Sequence, residues 1–162
     1  SIDFIIYPTL ASVVFLFFNF RKKARCFAGD VGSIGLAFWV VTLLLLLMIK
    51  THNLIWIGFL FVYGVDTVCT ILHRIYLKQN IMEAHRLHFY QILANDCHMT
   101  HQMVSVIYFV TQLACSAAII VLYSTMGWSI FVILSMVLVS IYSLKFKLIK
   151  QTTIINKKRQ TL

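Results

Sequence analysis

Acidic side chains are the scarcest feature of this chain. Among 162 residues there are five, Asp3, Asp30, Asp66, Glu83 and Asp96, and each stands alone. No paired carboxylates exist that could gather a metal ion by themselves. Charge of either sign is sparse: 12% of residues are charged against 60% hydrophobic, and the mean hydropathy is +0.88. A soluble domain is about half apolar and a quarter charged, so the composition is that of an integral membrane protein. Cysteine is limited to Cys26, Cys69, Cys97 and Cys115. Two fall in apolar runs and two in basic loops assigned to the cytosol, which excludes a disulfide framework. The first apolar run has no charged segment before it and no small-residue cleavage site, so it reads as a span and not as a signal peptide. Because Ser1 already lies in that run, the chain is expected to be a fragment of a longer protein.

Cations are better represented. Lys+Arg number 14, giving a formal charge of +9. They sit in the short loops and tail of a hydrophobic chain. Topology and anionic lipid or substrate therefore account for them, and nucleic acid is not an expected partner.

Five apolar runs reach the roughly 17–25 residues that a membrane helix needs. They predict an all-α membrane protein with helices near 2–18, 33–49, 54–76, 103–123 and 127–146, and a short surface helix in a cytoplasmic loop. Residues 1–146 form the transmembrane part and 147–162 a basic cytoplasmic tail. Pro8, the single proline, is expected to kink the first helix. Placing 19–32 inside puts thirteen cations on the inner face and only Lys50 outside, the sense expected from the distribution of positive charge. The long polar segments 19–32 and 77–102 then both face the cytosol.

The first of these runs Asn19-Phe-Arg-Lys-Lys-Ala-Arg-Cys-Phe-Ala-Gly-Asp-Val-Gly-Ser33. Small residues around the one acid, Asp30, leave the backbone open to a close ligand. Ser33 is expected to cap the next helix, whose free N–H groups favour anions. An acid beside such an end suits a metal ion carrying phosphates. A plain turn with a helix cap is the competing reading.

In 77–102, Ile81, His85, His88 and Ile92 follow helical spacing and predict a short helix at the membrane surface. His85, His88, His98 and His101, with Asp96 and Cys97, also raise zinc. The usual paired cysteines or a His-Glu-x-x-His are lacking, and a charge-binding role is preferred. Asp66 lies in the middle of a span, where a carboxylate costs on the order of 2.5–3.5 kcal/mol. It is expected to face the bundle, with Tyr63, Thr67, Thr70 or a group on another helix as partner. Both a packing contact and a role in the site remain open for it.

Two segments resemble one family. Phe27-Ala-Gly-Asp-Val-Gly-Ser33 is similar to the Phe-x-Gly-Asp-x-Gly-Ser motif of the polyprenyl-phosphate N-acetylhexosamine-1-phosphate transferases. Glu83-Ala-His-Arg-Leu-His-Phe-Tyr-Gln91 resembles the His-loop segment of a bacterial GlcNAc-1-phosphate branch of that family. The order of loop, two membrane helices and His loop is also the family's. The resemblance implies transfer of a HexNAc-1-phosphate, with the GlcNAc-1-phosphate branch the better match, from a UDP-sugar to undecaprenyl phosphate, releasing UMP, in cell-surface polysaccharide or cell-wall glycan synthesis.

By the same resemblance Asp30 would ligate Mg²⁺, or Mn²⁺ in its place, and His85, Arg86 and His88 would act on the diphosphate. Phe27 would pack on uracil, Asn19 would lie near the nucleoside, and Gly29, Gly32 and Ser33 would line the substrate. Asn19 stands one residue further from Asp30 than is usual in the family. The family's paired-Asp motif is not in these residues. The chain is therefore expected to be the C-terminal half of the enzyme, inactive without its N-terminal half, in the bacterial plasma membrane. The rival expectation is a small non-catalytic transporter or scaffold subunit whose basic loops bind anionic lipid.

Overall fold

A computed structural model of the chain describes residues 2–21, 24–80, 83, 87–97 and 99–160, with side chains described as far as Lys145. Among the described residues the structure is helical and contains no strand. Helices α1 (Asp3–Asn19) and α2 (Gly29–Thr51) come first. A 3₁₀ segment, Leu54–Leu60, runs into α3 (Phe61–Tyr76). Then follow a short α4 (Phe89–Asn95), α5 (His101–Met126) and α6 (Ser129–Gln160).

Three helices are long and apolar enough to cross a membrane: Gly29–Thr51, Leu54–Tyr76 and His101–Met126. They mark a membrane-associated protein. The other two apolar runs form the shorter helices Asp3–Asn19 and Ser129–Lys145. Past Lys145 the chain continues as helix to Gln160, with no break at the expected start of the tail.

The chain divides into two compact units, residues 1–56 and 57–162. In the first, neither α1 nor α2 has a buried residue. Pro8 explains one contact between them. Proline has no N–H, so the carbonyl four residues earlier, that of Phe4, loses its helical donor. The indole Nε1 of Trp39 on α2 donates to that carbonyl at 2.7 Å. An unpaired carbonyl in an apolar surrounding is costly, although measured side-chain bonds between membrane helices average well below the ideal value. Trp39→Phe should therefore lower stability by about 1 kcal/mol. Pro8→Ala, which restores the amide donor, should abolish most of that sensitivity. A double-mutant cycle on detergent unfolding reads the coupling. An equal loss in both backgrounds would mean that the indole does not replace the missing bond.

In the second unit α3, α5 and α6 pack on one another, and α4 lies against α5 and α6. Ile119, Ile130, Phe61 and Val104 are buried between them. The passage from 3₁₀ to α helix opens one rung of the ladder, between the Gly58 carbonyl and the Val62 N–H. The carboxamide of Gln112 on α5 fills it. Its Nε2 donates to the Gly58 carbonyl at 3.0 Å, and its Oε1 accepts from the Val62 N–H at 2.9 Å. Gly58 permits this approach: a Cβ there would overlap Ile119 Cδ1.

The helix expected on the spacing of residues 81, 85, 88 and 92 differs from the one found. Residues 81 and 85 lie outside the described residues. His88 precedes α4 in an extended conformation, with φ −65° and ψ 146°, so it does not share a helical face with Ile92. Its own N–H is taken by Gln91 Oε1 at 3.3 Å, which fixes the helix start one residue later.

Candidate functional site

The Gly-Asp segment enters α2. Gly29 is its first residue, with φ +60°, a left-handed conformation that costs glycine little and other residues more. Nothing lies within 4 Å of a Cβ at that position, so backbone conformation and not space is what calls for glycine there. Gly32 is closer packed: its Cβ would come 3.1 Å from that of Ala28. Asp30 lies in the first turn and is exposed, and Phe27 just before it is 90% exposed.

Ser33 is not the helix cap. The helix begins four residues earlier, behind Ala28, and the Ser33 hydroxyl donates to the Asp30 carbonyl at 3.2 Å. Serine inside a helix tends to bond back to the preceding turn in this way. Among the described residues no side chain caps the start of α2. Asn19 ends α1 with its Oδ1 buried and, among the described residues, without a hydrogen-bond partner.

The second unit holds the more elaborate arrangement, centred on Asp66 of α3, which is 6% exposed. Its Oδ1 accepts from the Phe89 N–H at 2.9 Å and from Thr70 Oγ1 at 3.3 Å. Its Oδ2 accepts from Tyr108 Oη of α5 at 3.0 Å. The Nδ1 of His88 lies 3.7 Å from Oδ1, in ion-pair range but too far for a hydrogen bond.

From Thr70 the network continues to α6. Thr70 Oγ1 and Tyr142 Oη are 2.9 Å apart, and Lys145 Nζ donates to Tyr142 Oη at 2.6 Å. Lys145 also donates to the Leu87 carbonyl. Of the expected partners of Asp66, Thr70 and a group on another helix are found, and Phe89 joins them from the main chain. Thr67 Oγ1 is buried and makes no hydrogen bond.

Two of the thirteen cations assigned to the inner face are internal to the bundle. Lys145 is fully buried, and Arg74 is 3% exposed, with its Nη2 donating to the carbonyls of Asn80 and Glu83. These bonds tie the chain leaving α3 back to its last turn. Around His88 the Tyr90 ring stacks at 5.7 Å and 22°. Burial raises the Tyr90 phenol above its ordinary pKa, and the Asp66 carboxylate adds to the effect. That phenol therefore stays protonated through the physiological range.

Of the residues singled out in the sequence, Asn19, Phe27, Gly29, Asp30, Gly32 and Ser33 lie in the first unit and His88 in the second. His85, Arg86 and His98 lie outside the described residues. Among the described residues no group of three or more His, Cys, Asp or Glu is placed to hold a metal ion. Tyr108, Tyr142, Lys145 and Gln112 were not legible as polar anchors. For Tyr142 and Lys145 the i, i+3 spacing on one helix was the available signal. No protein-family model, curated protein or solved structure matches the chain.

Proposed function

We propose that this chain is the part of a polyprenyl-phosphate HexNAc-1-phosphate transferase that carries its Gly-Asp and His segments. It would serve the transfer of GlcNAc-1-phosphate from a UDP-sugar to undecaprenyl phosphate, with release of UMP. One observation carries the reading. The two resembling segments, Phe27–Ser33 and Glu83–Gln91, stand on either side of two consecutive helices of spanning length. Their polar surroundings and the cations near them belong, on this reading, to the cytoplasmic side of the bacterial plasma membrane.

The residues suit phosphoryl transfer, in which little covalent chemistry falls to the protein and charge stabilisation does most of the work. Asp30 is exposed on the first turn of α2 and offers one carboxylate. Mg²⁺ is commonly held by one or two carboxylates together with substrate phosphates and water. The donor set therefore fits an ion that takes most of its ligands from the diphosphate. Such an ion would neutralise charge on the phosphoryl oxygens. The uncapped N–H groups at the start of α2 favour an anion near Asp30. His85, Arg86 and His88 are assigned to the diphosphate and the charge that develops on it. Phe27, exposed as it is, is available to stack on the uracil.

The test is UMP release from UDP-GlcNAc with undecaprenyl phosphate and Mg²⁺. Residues 1–162 joined to a family N-terminal half bearing the paired Asp residues should release UMP. Residues 1–162 alone should stay at the blank. No release from either would sink the transferase reading. Turnover by residues 1–162 alone would show that the acceptor and metal sites are complete within them.

A further inference from the structure

Asp66 stands ten residues before the end of α3 at Tyr76, a distance of about 15 Å at ~1.5 Å per residue. Tyr108 lies seven residues inside α5 from its start at His101, about 10 Å by the same measure. Both side chains meet at one carboxylate, and the Phe89 N–H meets it too. The chain that leaves α3 at Tyr76 has therefore doubled back. Leu87, His88 and Phe89 lie beside the middle of α3 and not at its end.

Extended backbone at such a depth is tolerated only where protein satisfies its polar groups. Here three of its polar groups have named partners. The Leu87 carbonyl accepts from Lys145, the His88 N–H donates to Gln91, and the Phe89 N–H donates to Asp66. The two outer grips are themselves joined, since Thr70 and Tyr142 connect Asp66 to Lys145. Tyr108 holds the second carboxylate oxygen, so Asp66 cannot easily turn away. The imidazole between the grips is braced by the Tyr90 ring on one side and by the nearby carboxylate on another.

We propose that Asp66 and Lys145 are positioning residues for His88. They grip the main chain on both sides of it and so hold Leu87–Phe89, and the imidazole with them, at one fixed place along α3. This deepens the transferase reading and rests on it for the role of His88 at the diphosphate; the grip itself does not. It also chooses between the two roles open for Asp66. The carboxylate is neither a mere packing contact nor a ligand of substrate, but acts through His88.

Amide hydrogen exchange, read by NMR on the 162-residue chain in lipid nanodiscs, tests the grip. Asp66→Ala should speed exchange of the Phe89 amide by about tenfold or more, the loss of one hydrogen bond of ordinary strength. Lys145→Met should speed it as well, because the loop is then held at one end. Amides of α5 near Ser116 should keep their wild-type protection in both variants. Wild-type exchange at Phe89 in both would overturn the proposal. Should Asp66→Ala also strip protection from α5, Lys145→Met decides alone.

A second readout separates positioning from general destabilisation. In the complete transferase, Asp66→Asn and Lys145→Met should each lower kcat by about tenfold or more while KM for the UDP-sugar stays within about threefold. A raised KM at unchanged kcat would overturn the positioning role. Failure of the wild-type protein to release UMP would instead remove the transferase reading, and the exchange result would then judge the grip by itself.

Discussion

Asp30→Asn should lower UMP release by the complete transferase on the order of 10³-fold, with membrane insertion and stability unchanged. The substitution preserves size and leaves the first turn of α2 intact. The side chain is exposed and no packing depends on it. Its loss therefore has little to act on except chemistry. An amide oxygen is a poor ligand for a hard cation beside a diphosphate, and the sequence offers no adjacent acid to take over. A loss of 10³ corresponds to about 4 kcal/mol of transition-state stabilisation. The measurement is steady-state UMP release across a Mg²⁺ titration. Rates within a few fold of wild type at ordinary Mg²⁺ would remove Asp30 from the reaction.

Gln112→Leu should produce the largest loss of stability among the substitutions considered, about 2–4 kcal/mol. Leucine fills nearly the same volume, so the change isolates the polar contribution. Two main-chain groups lose their partners at once, the Gly58 carbonyl and the Val62 N–H, and the Ser116 hydroxyl loses a contact at 3.1 Å. Each buried orphan costs about 1–3 kcal/mol. The helix has one remedy: to wind the 3₁₀ segment into a regular α turn and close the rung directly. Tertiary packing opposes it, because Gly58 is pressed against Ile119, which is fully buried. Gln112→Glu keeps one acceptor and should fall between Leu and wild type. Unfolding in detergent, followed by circular dichroism, provides the comparison. A Leu variant as stable as wild type would mean that the rung closes without help.

The helices were legible because lipid allows the chain little else. An apolar run near twenty residues must close its own hydrogen bonds, and α2, the Leu54–Tyr76 stretch and α5 lie where the hydropathy puts them. Boundaries were less so. The start of α2 was set four residues late because Ser33 has the chemistry of a cap, while the turn is made by the backbone of Gly29. Asp66 was legible as a buried acid in need of a partner, and Thr70 one turn away on the same helix was among those expected. Its contacts with Tyr108 and Phe89 join residues far apart in sequence, and no periodicity within one helix encodes them.

The burial of Lys145 was not legible for a related reason. A cation at the end of an apolar run has the same appearance whether it faces headgroups or turns inward to a carbonyl. Trp39 is the converse case. Pro8 announced a missing donor, yet nothing in the sequence said which side chain would supply one.

The grip on His88 also has an order in time. Leu87 and Lys145 are 58 residues apart in the chain. At roughly 5–20 residues per second of synthesis, several seconds separate the appearance of the loop from that of the lysine that closes it. Asp66 precedes both, so a nascent chain can pair Phe89 before Leu87 has a donor. The loop must then wait at the mouth of a half-built bundle, with one end tied, until the last helix is inserted. A chain halted before α6 would carry every residue of the His segment and have no seat for it.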